Sequence, residues 1–224
     1  MDNKRSRNFK IFFNEDNSEL FEASDGWCNG SMFNVTWRRE NVILQNGEMR
    51  LMLDRDTSDL VEGIPYSGGE YRSLNYYGFG KYEVSMRAVK NDGVVSSFFV
   101  YTGPSDNNPW DEVDIEFLGR DTTKVQFNYF SDGIGDHEYL YDLGFDASKE
   151  FHTYSFERHK RKIIWYVDGR AVYSADTDIP GCPGKIMMNV WCGIGVDRWL
   201  NAFNEKALPL SAEYRYISFE SYDE

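Results

Sequence analysis

At 224 residues and a formal net charge of −13, the chain repels other polyanions, so nucleic acid and anionic membrane are excluded as partners. Aromatic residues make up 17% of it, more than a core of this size needs, so some are expected on a surface that binds a neutral ligand. Its 3 cysteines (Cys28, Cys182, Cys192) and 3 histidines (His137, His152, His159) show neither a disulfide framework nor a zinc-site spacing, so free thiols, no cofactor and no metal are expected.

In chain order, residues 1–13 (MDNKRSRNFKIFF) open with basic side chains but lack the apolar run of a signal or membrane span. The expectation is a secreted protein whose signal has been removed ahead of Met1, with an intracellular protein as the alternative. No Pro/Gly/Ser linker or low-complexity run follows, so residues 1–224 are read as one domain. Short runs of period-2 alternation then recur, separated by Gly, Asn and Asp. Glu70 and Arg72 stand two apart. In 81–90, KYEVSMRAVK, the apolar residues Tyr82, Val84, Met86 and Ala88 alternate with polar ones, which predicts a half-buried antiparallel strand. Phe99 and Tyr101 repeat the two-residue spacing. Residues 109–119, PWDEVDIEFLG, place Glu112, Asp114 and Glu116 alternately with Val113, Ile115 and Phe117. Asn128 with Phe130 follows. In 163–175, IIWYVDGRAVYSA, the pair Asp168-Gly169 between two apolar runs predicts a type I′ hairpin. Asn189 with Trp191 repeats the spacing once more, and a short helix is expected around 197–203. Many short strands without strand–helix alternation predict an all-β fold, an antiparallel sandwich or barrel.

Side chains at i, i+2 and i+4 of a strand share a face. Glu112, Asp114 and Glu116 therefore point one way while Val113, Ile115 and Phe117 enter a core. If the strands neighbour one another, the polar and aromatic pairs line one concave groove that suits sugar rings and their hydroxyls. Four strand residues separate the Cα atoms of Glu112 and Glu116 by roughly 13 Å. Glutamates leaning inward from that distance can reach the about 5–5.5 Å of a retaining glycosidase pair. Asp114, midway and shorter, is expected to hydrogen-bond a neighbouring glutamate, and mutual repulsion is expected to keep one glutamate protonated beside an ionised one. An acidic, solvent-facing edge strand or a calcium-binding carboxylate cluster would give the same spacing.

The run WDEVDIEFLG, with RDTTKVQFNYF, HTYSFE, WYVDG and PGKIMMNVW, resembles the bacterial lichenases, the endo-β-1,3-1,4-glucanases of glycoside hydrolase family 16. The resemblance runs from about Asp25 to about Tyr216. It implies a β-jelly-roll sandwich of two antiparallel sheets with a concave substrate cleft, and a retaining double displacement on mixed-linkage β-glucan, here by a monomer. Residues matching the family pattern are Glu112 as nucleophile, Glu116 as general acid/base and Asp114 as assistant. The cleft residues carried over are Asn29, Glu70, Arg72, Phe99, Tyr101, Trp110, Asn128, Asn189, Trp191 and Trp199, together with Phe130 where the family usually has tyrosine. Other departures are Cys192 for a usual asparagine, and Val35 and Gly68 at positions that are a disulfide pair in many secreted members. Arg215 stands where an aspartate usually holds structural calcium, so no metal is expected there, and backbone carbonyls are expected to accept from the guanidinium instead. The sequons at Asn29 and Asn34 are read as chance, since a glycan on Asn29 would block the cleft. The rivals are a β-1,3-glucanase or xyloglucan-active relative, and a non-catalytic jelly-roll lectin.

Overall fold

The structure is a computed structural model and describes residues 8–13 and 17–223; the basic stretch at 1–7 lies outside them. The first strands are β1 (Phe9–Phe12), β2 (Phe21–Ala23), β3 (Thr36–Trp37), β4 (Val42–Gln45), β5 (Glu48–Arg55), β6 (Tyr66–Gly68), β7 (Glu70–Tyr77), β8 (Gly80–Arg87) and β9 (Val94–Thr102). They are followed by β10 (Asp111–Leu118), β11 (Lys124–Phe130), β12 (Tyr139–Asp142), β13 (His152–His159), β14 (Lys162–Val167), β15 (Arg170–Ala175) and β16 (Gly184–Cys192). A single turn of helix, α1 (Asp197–Leu200), and the long β17 (Leu210–Ser221) close the chain.

Two sheets result, stacked as a jelly-roll sandwich. One has the order β12-β11-β10-β9-β16-β7-β2; the other runs β15-β14-β13-β8-β17-β5-β6-β3, with β1 added to β17 and β4 to β5. Among the described residues all pairings but one are antiparallel. The exception is β3 against β6, which are parallel through Thr36 and Trp37, a piece too short to carry any alternation in sequence.

The alternation in 81–90 and 109–119 places apolar side chains in the space between the sheets. Tyr82, Val84, Met86 and Ala88 are buried, as are Val113, Ile115 and Phe117. Aromatic rings bridge the layers: Phe98 to Phe156 at 5.8 Å, Phe117 to Tyr154 at 4.8 Å and Phe127 to Trp165 at 5.6 Å between centroids. Each such pair contributes about 0.5–1.5 kcal/mol beyond the burial of its area. Trp165 adds a polar tie, its indole Nε1–H donating to the Asp114 carbonyl at 3.1 Å. The middle of β10 is thereby fastened to the opposite sheet. At the hairpin, Asp168 and Gly169 take φ of 48° and 75°, the left-handed pair that a type I′ turn needs.

Candidate active site

Register turns the concave sheet into a grid. Across β11, β10, β9, β16 and β7, one row reads Gln126, Glu116, Ser97, Asn189, Glu70. The next reads Asn128, Asp114, Phe99, Met187, Arg72, and the third Phe130, Glu112, Tyr101, Lys185, Tyr76. The three carboxyls therefore occupy successive rows on a central strand, with aromatic, amide or serine neighbours on either side. An acidic edge strand is ruled out.

Glu112 accepts a hydrogen bond from the Trp110 indole, Nε1 to Oε2 at 2.6 Å. Trp110 itself is 40% exposed and lies flat on Phe130, with centroids 4.4 Å apart and planes 14° from parallel. Two glycines make room for this wall: a Cβ on Gly135 would stand 2.6 Å from Phe130, and one on Gly103 would collide with the Tyr101 hydroxyl. Glu116 accepts from Gln126, Nε2 to Oε2 at 2.9 Å, and Gln126 in turn accepts from the Trp199 indole at 3.1 Å.

Burial is the main force on the three carboxyls, because an ionised group loses hydration there. It lifts both Glu112 and Glu116 to about 7. Asp114, only 4% exposed, is pushed well above the ordinary carboxylate range by burial first, then by the charges of Glu112 and Glu116, and by its hydrogen bond to Glu112. Repulsion, expected from the sequence to be the cause, is secondary to desolvation. Trp110 and Asp114 both favour the Glu112 anion. Among the described residues Glu116 has Gln126 alone as donor, and it feels the charges of Glu112 and Glu138. Burial therefore favours a proton on Asp114, and the two donors on Glu112 against one on Glu116 favour Glu112 as the glutamate that carries the charge. Glu138, exposed between β11 and β12, was not read from the sequence.

The remaining groups divide into floor and rim. Glu70 is buried, accepting from Ser24 Oγ at 2.7 Å and from Asn189 Nδ2 at 3.2 Å, while Ser97 Oγ donates to Asn189 Oδ1 at 2.6 Å. Phe99 and Asn128 are also buried floor. Arg72 is held by Glu22 at 2.9 Å and reaches over the Trp27 ring at 5.9 Å. Trp191 faces the cleft side but is only 3% exposed, covered by Phe33 at 4.2 Å and Trp199 at 6.0 Å, so it supports the floor and offers no open ring. Asn29 is exposed, and its Oδ1 is engaged by the Trp37 indole at 2.5 Å.

The family model for glycosyl hydrolases family 16 matches residues 29–209, a span that contains every one of these strands from β3 to β16. The chain belongs to glycosyl hydrolase family 16. It is 55% identical over 209 residues to a beta-glucanase of Acetivibrio thermocellus, covering 93% of this chain and 61% of that relative. The chain thus spans about three-fifths of the length of that curated relative. Among solved structures, a Bacillus licheniformis beta-glucanase superposes with a TM-score of 0.92 at 50% identity, covering 97% of this chain and 99% of the other. A prokaryotic beta-1,3-1,4-glucanase (lichenase) derived from a mouse hindgut metagenome gives 0.92 at 49% identity, covering 96% and 99%.

Against this family-16 frame the departures find physical places. Cys192 is buried with its thiol toward the Asn34 carbonyl, and burial raises its pKa to about 12, so it is an inert packing group and not a cleft residue. All three cysteines are free. Val35 approaches to 3.1 Å of where a Cβ on Gly68 would stand, so these two positions are neighbours without a bond between them. Arg215 corrects an expectation: among the described residues its guanidinium pairs with Glu48 at 3.2 Å and lies over the Phe151 ring at 3.8 Å, and no backbone carbonyl accepts from it. A fixed cation already paired to a carboxylate does not fit a calcium site, which needs oxygen donors. Gln126, Ser97 and Met187 extend the period-2 pairs by one step each on the same face and were legible by the same rule. Glu22, Trp27 and Phe33 were not, since only the tertiary fold brings them to the cleft.

Proposed function

We propose that this chain is a retaining endo-β-1,3-1,4-glucanase that hydrolyses β-1,4 bonds next to β-1,3-linked glucose in mixed-linkage glucans. The observation that carries the reading is the central-strand trio of Glu112, Asp114 and Glu116 on one face, with Glu112 held by the Trp110 indole and Glu116 by the Gln126 amide. The relatives named beta-glucanase, and the solved lichenase of the same fold, support the choice of substrate. In the first step Glu116 gives its proton to the glycosidic oxygen, the bond from that oxygen to the anomeric carbon breaks, and a Glu112 oxygen bonds to that carbon. In the second, the Glu116 carboxylate takes a proton from water, the water oxygen bonds to the anomeric carbon, and Glu112 leaves as the carboxylate. Asp114 donates to Glu112 and so holds it as the anion inside a site where burial opposes charge.

A reducing-sugar assay on barley β-glucan, laminarin and carboxymethylcellulose tests this. Strong release from β-glucan alone is expected; preference for laminarin would move the chain to the β-1,3-glucanases, and no release from any would favour a lectin. Proton NMR of the first products should show the β-anomer, because the two glutamates share one strand and one face. Initial α-product would overturn the retaining assignment. We propose secretion as well, since a high-molecular-weight polysaccharide is met outside the cell; activity confined to the cell pellet of the source organism would refute it.

A further inference from the structure

The acid/base candidate is held by a two-step chain that crosses from one wall of the cleft to its floor. Trp199, on α1, donates its indole N–H to Gln126 Oε1 at 3.1 Å, and Gln126 Nε2 donates to Glu116 Oε2 at 2.9 Å. Gln126 lies directly opposite Glu116 in the β10–β11 register and is only 7% exposed, so water does not stand in for either partner. The two ends of a glutamine amide are distinguished by their partners. An indole N–H is a donor only, so the amide oxygen must face it. The NH2 group must then face Glu116. An NH2 group only donates, so Glu116 Oε2 accepts in both protonation states, and because the carbonyl oxygen of a carboxylic acid accepts better than its hydroxyl, the acid's proton is favoured on the other oxygen. That oxygen is Oε1.

We infer that Trp199 and Gln126 are positioning residues which assign the Glu116 proton to Oε1, the oxygen left free for the glycosidic bond. This rests on the reading of Glu116 as acid/base. Trp199 therefore does more than offer a ring to sugar. With the indole N–H removed, the Gln126 amide is free to turn over. Its oxygen then accepts the proton of Glu116 through Oε2, and the acid donates to its own neighbour while the leaving group departs unassisted. The titratable groups around Glu116 are Glu112 and Asp114 on its own strand and Glu138 from the β11–β12 segment. Among the described residues none of these three is hydrogen-bonded to Trp199 or Gln126, so the effect is separable from theirs.

The test compares two aryl glycosides of one glucan oligosaccharide, with 2,4-dinitrophenol and with phenol as leaving group. Dinitrophenolate needs no proton and phenolate does. Contacts with the sugar are common to both and cancel in the ratio of their kcat/KM values. In Trp199→Phe, which keeps a ring, this ratio is expected to rise about tenfold, part of the 10²–10⁴ that a positioned general acid contributes. Adding Gln126→Met to that variant removes the group that sequesters the proton, and should bring the ratio back toward the wild-type value. An unchanged ratio in Trp199→Phe, or a double variant with a larger ratio than the single, would overturn the relay. Glu116→Ala should give the largest ratio of all; if it leaves the ratio at the wild-type value, the acid assignment itself is what has failed.

Discussion

Replacing Trp110 by phenylalanine isolates what the indole N–H does to Glu112, the nucleophile of the proposed mechanism. The ring can stay on Phe130, where the present stack is 4.4 Å and nearly parallel, while the 2.6 Å bond to Glu112 Oε2 disappears. A hydrogen bond to a charged group contributes about 1.5–3 kcal/mol, or roughly one to two pKa units at 1.36 kcal/mol each. Because Trp110 is 40% exposed, water replaces part of that bond, and the lower end, about one unit, is expected. The sign follows from which form the indole stabilises. It donates to the anion, so its loss raises the Glu112 pKa above its present value of about 7. Glu112 must be ionised to attack, so the acid limb of kcat/KM against pH should move up by about one unit. On that limb the variant loses about tenfold more activity than on the plateau. The other ionisable groups around Glu112, namely Asp114, Glu116 and Tyr101, are untouched by the substitution. A full pH profile on β-glucan is the assay. A uniform loss at every pH, with the limb in place, would show that the indole serves only as a platform and has no hold on the nucleophile.

Glu112→Ala should abolish turnover, and azide should restore it through the vacated face to give an α-glucosyl azide; Glu116→Ala with azide should give the β-anomer, both readable by NMR. EDTA should leave the melting temperature unchanged, because Arg215 fills the position with a paired cation; a fall that added calcium reverses would show that the metal is held elsewhere. Arg215→Ala should cost about 1 kcal/mol, the scale of an exposed cation–π contact with a weak ion pair, which is roughly 2–4 °C in a domain of this size. Trp165→Phe should cost about 1–3 kcal/mol by leaving the Asp114 carbonyl short of a donor, and should lower the denaturant midpoint without moving the pH limbs.

Strand period made much of this legible in advance. Glu112, Asp114 and Glu116 share a face because alternation is local, and the Asp168-Gly169 turn needs only its own backbone. The pairing of rows was a different matter. That Glu116 meets Gln126 and Ser97, and Glu112 meets Phe130 and Tyr101, depends on which strands neighbour β10, and no local pattern states it. The covering of Trp191 by Phe33 and the parallel β3–β6 pair come from segments too short to show a period. Charge was misjudged for the same reason: repulsion is visible in the spelling of the run, while desolvation, the larger effect, depends on the walls that other strands supply.

One strand, β10, carries chemistry on one face and packing on the other, with nothing between them but a peptide plane. A shift of its register by a single residue would send Val113, Ile115 and Phe117 into the cleft and three carboxyls into the apolar layer. Deleting a residue there cannot produce a folded but inactive protein; it removes both properties together. An inserted residue survives only if it bulges out of the ladder and leaves the parity of the rest intact. The reactive centre of this chain is therefore open to change by substitution and open to change in length only through a bulge, and variants that still fold have, by that fact, kept the alternation on which the centre is built.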